Sequence, residues 1–333
     1  MNALLPKRLD QQVLVITGAT SGIGLVTARR AAARGARVML IARNEEVLRE
    51  LVSEIESAGA SAALAVADVA DEGAVRAAAR TAIDAFGRID TWVNNAAVSI
   101  YGDLVEVPLD EQRRLFDVNY WGCVHGCRVA IEHLRERGGV IVNVGSVLSD
   151  RSIPKQGAYC ASKHALRGFT DALRMELEEA GLPIALSLIK PSAIDTPYKD
   201  HAKNYLERAP KNPPPVYAPE VAAEAILACA ESPRRDVVVG GGGAAVSIVG
   251  RLLPRLTDLV MERTMSRLQL TDRPAGDRNR HNLFAPGDDG DERGGYPHHV
   301  AESSLYTQAM LHPAASMLLL LGIGTAVYAW TRR

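Results

Sequence analysis

Between Val13 and Gly240 short apolar runs alternate with longer segments of helical periodicity, and this alternation leaves few folds open to the chain. The runs Val13–Thr17, Arg37–Ala42, Ala62–Ala67, Thr91–Asn94, Val140–Val144, Ile184–Ile189 and Asp236–Val239 read as seven strands, with helices filling every gap. Their near-continuous apolar character, as in Val13-Leu14-Val15-Ile16, suits strands buried on both faces. The expected fold class is therefore α/β: a doubly wound, seven-stranded parallel sheet with helices on both faces.

Composition narrows the function. With 47% hydrophobic and 23% charged residues in 333, the chain can bury a sizeable core, which excludes disorder throughout. A formal net charge of -1, with no basic block, argues against a nucleic-acid binder working by phosphate neutralisation. Cys123, Cys127, Cys160 and Cys229 show no CxxC spacing and read as free, buried thiols. Cys123 and Cys127 flank His125 one helical turn apart, but small core residues on a helix face explain them better than a metal, and no metal is assigned.

Four regions follow: a catalytic domain over 1–243, an amphipathic helical extension over 244–270, a polar linker over 271–313 and an apolar segment over 314–330. The extension carries arginines at 251, 255, 263 and 267 and is broken by Pro254, so two helices are expected, either lying on a membrane surface or packed on the body. The linker, with its run Gly287-Asp288-Asp289-Gly290-Asp291-Glu292, offers no catalytic group. Ala314–Trp330 is uncharged, about the shortest length that crosses a bilayer, and has Tyr328 and Trp330 at its end, followed by Arg332 and Arg333. Membrane attachment is favoured there over a helix docked into a dimer groove. Met1–Arg8 has no secretory apolar stretch, so the main domain is expected in the cytoplasm, membrane-associated through its C-terminus.

The first strand runs into Thr17-Gly18-Ala19-Thr20-Ser21-Gly22-Ile23-Gly24 and then a helix. Strand, glycine turn and helix in this order form a phosphate cradle: glycines let a pyrophosphate approach the main chain, and unpaired N–H groups at the helix start attract anions. Gly18, Thr20, Ser21, Gly22, Ile23 and Gly24 are the expected contacts of a dinucleotide. The second strand ends in Arg43, without the carboxylate that would bond a ribose and repel a 2′-phosphate; NADP(H) is thus expected over NAD(H). Asp68 and Val69 after the third strand, and Asn95 and Ala96 after the fourth, are placed to line the same cofactor.

Of nine tyrosines only Tyr159 has a lysine four residues later, Lys163, within a segment that reads as a helix, so both share a face. A close ammonium is expected to favour the phenolate and bring a poor base into working range. Ser146, thirteen residues upstream at a strand end, has a hydroxyl suited to holding a substrate oxygen.

These motifs, in this order over Val13–Gly240, resemble the short-chain dehydrogenase/reductase family, whose domain is Rossmann-type. The glycine turn, Asn94-Asn95-Ala96-Ala97, and Ser146 with Tyr159 and Lys163 carry the likeness. The resemblance implies Asn119 as a fourth catalytic residue, holding a water against the lysine, and metal-free hydride transfer between nicotinamide and substrate carbon. It further implies Pro191 and Thr196 as cofactor contacts, Tyr198–Pro219 as the substrate lid, and a homodimer or homotetramer through Asp110–Arg137 and Gly157–Ala180. Ala97 and Ser192 depart from the family pattern, standing where glycine is expected. The function so read is an NADP(H)-dependent oxidoreductase acting on a small, or lipophilic, alcohol or carbonyl. The rival is a membrane-tethered NADP-binding scaffold or regulator without turnover, disfavoured because a scaffold has no need of Ser146, Tyr159 and Lys163 together.

Overall fold

The computed structural model describes residues 7–313 and 316. Its centre is a seven-stranded, all-parallel sheet made of β1 (Val13–Thr17), β2 (Arg37–Ala42), β3 (Ala62–Val66), β4 (Thr91–Asn94), β5 (Gly139–Val144), β6 (Ile184–Pro191) and β7 (Asp236–Val239), in the spatial order β3-β2-β1-β4-β5-β6-β7. Each strand lies within two residues of its expected bounds. The strand order reverses between β1 and β4, and this is where a doubly wound sheet opens a crevice for ligands.

Alternate residues of each strand feed two separate cores. Leu14 and Ile16 point to the side covered by α1 (Gly22–Ala33), α2 (Glu45–Ser57) and α8 (Pro219–Glu231). Val15, with Met39 and Ile41, points to the side covered by α3 (Glu72–Phe86), α5 (Gly122–Leu134) and α6 (Gly157–Glu179). β1 is buried along its whole length, as its unbroken apolar run requires, while the edge strand β3 is only partly buried. Local signals set the helix starts: Asn44 accepts a hydrogen bond from Val47 N at 3.2 Å, Asp71 accepts from Gly73 N at 2.8 Å, and Pro219 opens α8. Between α4 (Leu109–Phe116) and α5 the chain makes one π turn, Asp117–Trp121, a form that recurs at functional sites.

Beyond β7, α9 (Gly241–Leu252) and α10 (Pro254–Leu268) meet at Pro254 and pack on the body. The stretch expected as a polar linker is bound to the body instead. Leu270–Pro274 pairs antiparallel with Arg208–Pro210 of the stretch expected as the substrate lid, and Val300–Ala301 joins Val216–Tyr217 and Ala193–Ile194 in a small parallel sheet. The short α7 (Tyr198–His201) lies within the same lid, and α11 (Leu305–Leu311) covers β7, where Thr307 Oγ1 accepts from Gly240 N at 3.0 Å. Composition hid this order, since the linker buries few side chains of its own, Leu283 chief among them, and is held mainly by hydrogen bonds to distant loops. No helix among the described residues is long and apolar enough to cross a membrane; the segment 314–330 lies outside them, Ser316 excepted.

Candidate active site

β1 delivers the chain to Gly18, which takes φ +64 and turns it sharply. A Cβ on Gly18 would stand 2.8 Å from Ala96 Cα, and one on Gly24 only 2.0 Å from the Gly18 carbonyl oxygen. These two contacts explain why side chains are missing here: the turn folds flat onto the start of α1 and onto the end of β4. Asn95 locks it, its Nδ2 donating to Thr17 O at 3.0 Å and Gly18 O at 3.1 Å, while Thr17 Oγ1 accepts from Asn95 N at 2.9 Å.

A cleft of about 290 Å³ opens above this turn. Gly18, Thr20, Ser21, Gly22 and Ile23 form its floor, Gly24 sits behind them, and Arg43, Asp68 and Val69 line it past the ends of β2 and β3. Asn95 and Ala96 line it from β4, and Pro191 and Thr196 from the far side. Ser192, where the family pattern has glycine, fits because Gly240 and Gly243 make room; a Cβ on either would meet its side chain at 2.6 Å. The absent side chains, the helix start and a guanidinium at the end of β2 suit a dinucleotide.

Asp68, expected to line the cofactor, is committed to an ion pair with Arg114 and also accepts from Ala70 N at 3.0 Å. Arg43 stands 4.0 Å from the same carboxylate and donates to the carbonyls of Asn282 and Leu283. Arg114 was invisible in the sequence because nothing local marks it; its role comes from α4 passing over the end of β3.

The expected catalytic residues converge on one end of the cleft. Tyr159 and Lys163 share a face of α6, with Lys163 Nζ 5.6 Å from the tyrosine ring centroid and donating to Val144 O at 2.9 Å. Ser146 leads a short turn after β5, its Oγ accepting from Leu148 N at 3.0 Å. Asn119 stands behind the cleft in the π turn. Its side chain grips the backbone of Val98, accepting from the N–H at 2.8 Å and donating to the carbonyl at 2.9 Å, and donates to Ser162 Oγ at 3.1 Å. The side chain thus holds the loop after β4.

The proton balance differs from the sequence expectation. Burial pushes Tyr159 up to about 12, with Ser146 and Tyr198 pulling weakly the other way, and pushes Lys163 down to about 8. Desolvation disfavours the charged form of each, because both groups lie almost wholly out of water.

Sequence reasoning placed Tyr198 only at the start of the expected lid; its ring meets that of Tyr159 edge to face at 5.5 Å. Its hydroxyl lies 2.6 Å from Ser99 Oγ and 3.0 Å from Gln156 Oε1. Gln156 Nε2 in turn donates to Gln269 Oε1 at 2.7 Å, at the end of α10, so the extension reaches the second layer around the cleft. The cysteines are buried and free, and His125 turns to the Val69 carbonyl at 3.0 Å.

Comparison with known proteins agrees with this geometry. The family model described as short chain dehydrogenase matches residues 12–206. An uncharacterized oxidoreductase of Bacillus subtilis, YxnA, is 45% identical over 320 residues, covering 95% of this chain and 90% of that protein. A 3beta-hydroxysteroid dehydrogenase of Mediterraneibacter gnavus is 36% identical over 196 residues, covering 59% of this chain and 70% of that one. Among solved structures, a short chain dehydrogenase/reductase from Burkholderia phymatum in complex with NAD superposes with a TM-score of 0.68 at 27% identity, over 75% of this chain and 96% of its own.

Proposed function

This chain belongs to the short-chain dehydrogenase/reductase family of oxidoreductases, and from that premise we propose that it is an NADP(H)-dependent enzyme interconverting a lipophilic alcohol and its carbonyl. The observation that carries the reading is the meeting of Ser146, Tyr159 and Lys163 at one end of a cleft whose floor is a glycine turn. When bound, the nicotinamide supplies or accepts the hydride. Gly18 to Gly24 and Asn95 would hold its pyrophosphate side, Arg43 the 2′-phosphate, Lys163 the nicotinamide ribose, and Pro191 and Thr196 the ring end.

In the reducing direction Ser146 orients the carbonyl oxygen and Tyr159, protonated at neutral pH, gives it a proton. Lys163 steadies the phenolate that remains. Oxidation runs the same transfers backwards, with Tyr159 as the base. The substrate end of the cleft is lined by Tyr101, Val147, Leu148, Ile153, Tyr198 and Pro213, an apolar and aromatic wall that favours a hydrocarbon body over a charged metabolite. The 3beta-hydroxysteroid named for the Mediterraneibacter gnavus relative is of that kind. A homodimer or homotetramer through the α4–α5 and α6 faces accords with half-exposed Trp121 and Met175 on them.

Tyr159→Phe tests the reading. Turnover should fall by about 10²–10⁴ while NADPH still binds, followed by its fluorescence; undiminished turnover would overturn the assignment. A screen of alcohols and ketones of increasing chain length, hydroxysteroids included, should show kcat/KM rising with apolar bulk.

A further inference from the structure

The acidic turn of the C-terminal segment sits on the glycine turn itself. Thr20 Oγ1 donates to Asp289 Oδ2 at 2.8 Å, Gly290 N donates to Thr20 O at 2.9 Å, and Gly22 N, at the start of α1, donates to Asp291 O at 2.9 Å. Two of these three bonds use donors of the cradle that an anionic ligand needs: a hydroxyl and a helix-start N–H that has no partner inside the helix. The arginine at the end of β2 is engaged in the same way, since Arg43 donates to the carbonyls of Asn282 and Leu283.

The segment is fastened on both sides of these contacts. Leu283 is buried and its carbonyl also accepts from Arg114 Nε at 3.0 Å. Glu292 pairs with Arg29 of α1 at 2.8 Å, Lys199 of the lid donates to Gly294 O at 2.7 Å, and Tyr296 N donates to Asp195 at 3.0 Å. All of it lies beyond residue 206, where the match to the family model ends.

We propose that residues 277–296 are an autoinhibitory strap: the Asp289–Asp291 turn acts as an intramolecular anion in the glycine cradle, and a nicotinamide dinucleotide must displace it to bind. This rests on the reading of that cradle as the cofactor site. Asp289 brings a carboxylate where a phosphate's donors are, so strap and pyrophosphate repel one another as well as sharing donors; the neighbouring Asp288 and Glu292 are paired with Arg280 and Arg29. Carbonyls on Arg43 satisfy its guanidinium but carry no full charge, so a 2′-phosphate outcompetes them where a bare ribose does not. The strap also grips the lid through Lys199 and Asp195, so its release frees the substrate side together with the cofactor side.

Fluorescence titration of the full-length protein with NADPH and NADH, before and after Asp289→Ala, tests the proposal. The variant should bind both dinucleotides about tenfold more tightly, because the competent open state no longer competes with a carboxylate. The same variant should melt at a lower temperature without cofactor, opposite in sign to its gain in binding. Amide exchange gives a second reading: saturating NADPH should speed exchange across 282–296. Equal or weaker binding by the variant, or slower exchange in that segment, would overturn the strap and make the segment a clamp. If neither protein bound either dinucleotide, the cofactor reading would fall first and the strap with it.

Discussion

Tyr159 and Lys163 were legible from a four-residue spacing, but their acid–base character was not, because it depends on how much water the fold removes. With Tyr159 near 12 and Lys163 near 8, the phenol keeps its proton at neutral pH and the ammonium begins to lose its own just above it. Alcohol oxidation needs the phenolate, so its kcat/KM should rise with pH between about 6 and 8, by at most about tenfold per unit. Carbonyl reduction should stay level over that range and fall above about pH 8 as Lys163 loses its charge. A flat oxidation profile from pH-jump or steady-state measurements would remove Tyr159 as the base. On the NADP(H) reading proposed above, Arg43 would carry the cofactor preference: Arg43→Asp should raise the Kd for NADPH by about 10–100-fold while leaving NADH within about threefold, as one charge-assisted, phosphate-directed contact is lost. Loss of both cofactors alike would mean damage to the end of β2 instead.

At the scale of elements, the strands and helices of the sheet were readable because each is a local pattern, an apolar run or a helical period closed by a cap. α10 was readable as a helix for the same reason, yet what it does was not. Its last turn ends at Gln269, which is fully buried, donates to Pro154 O at 3.0 Å and accepts from Gln156, a residue 113 positions away. Gln156 faces the Tyr198 hydroxyl, and Tyr198 meets Tyr159 edge to face. Gln269→Leu would leave the Gln156 amide and the Pro154 carbonyl without their partner, at a cost of about 1–3 kcal/mol. Calorimetry should show a melting point lower by a few degrees, and KM should rise more than kcat falls if Tyr198, which lines the cleft, positions substrate rather than reacting with it. An unchanged KM would separate the extension from the cleft.

For the whole molecule, the C-terminal region is a brace and not an appendage. Val300–Ala301 and α11 close the β7 side, with Thr307 bridging Gly240 N and Val238 O. Ending the chain at 299 should therefore lower the melting temperature by several degrees, because Leu311 and Thr307 come off a buried edge. By itself, the sequence determined the doubly wound sheet, the glycine turn at its first crossover and the pairing of Tyr159 with Lys163. All three are written in residues near one another, where steric freedom and periodicity act directly. Only the tertiary structure decided that Asn119 spends its side chain on Val98, that burial raises Tyr159, and that Asp289 lies on Thr20 across 269 positions. Those outcomes depend on which distant surfaces exclude water together, and no spacing along the chain encodes that.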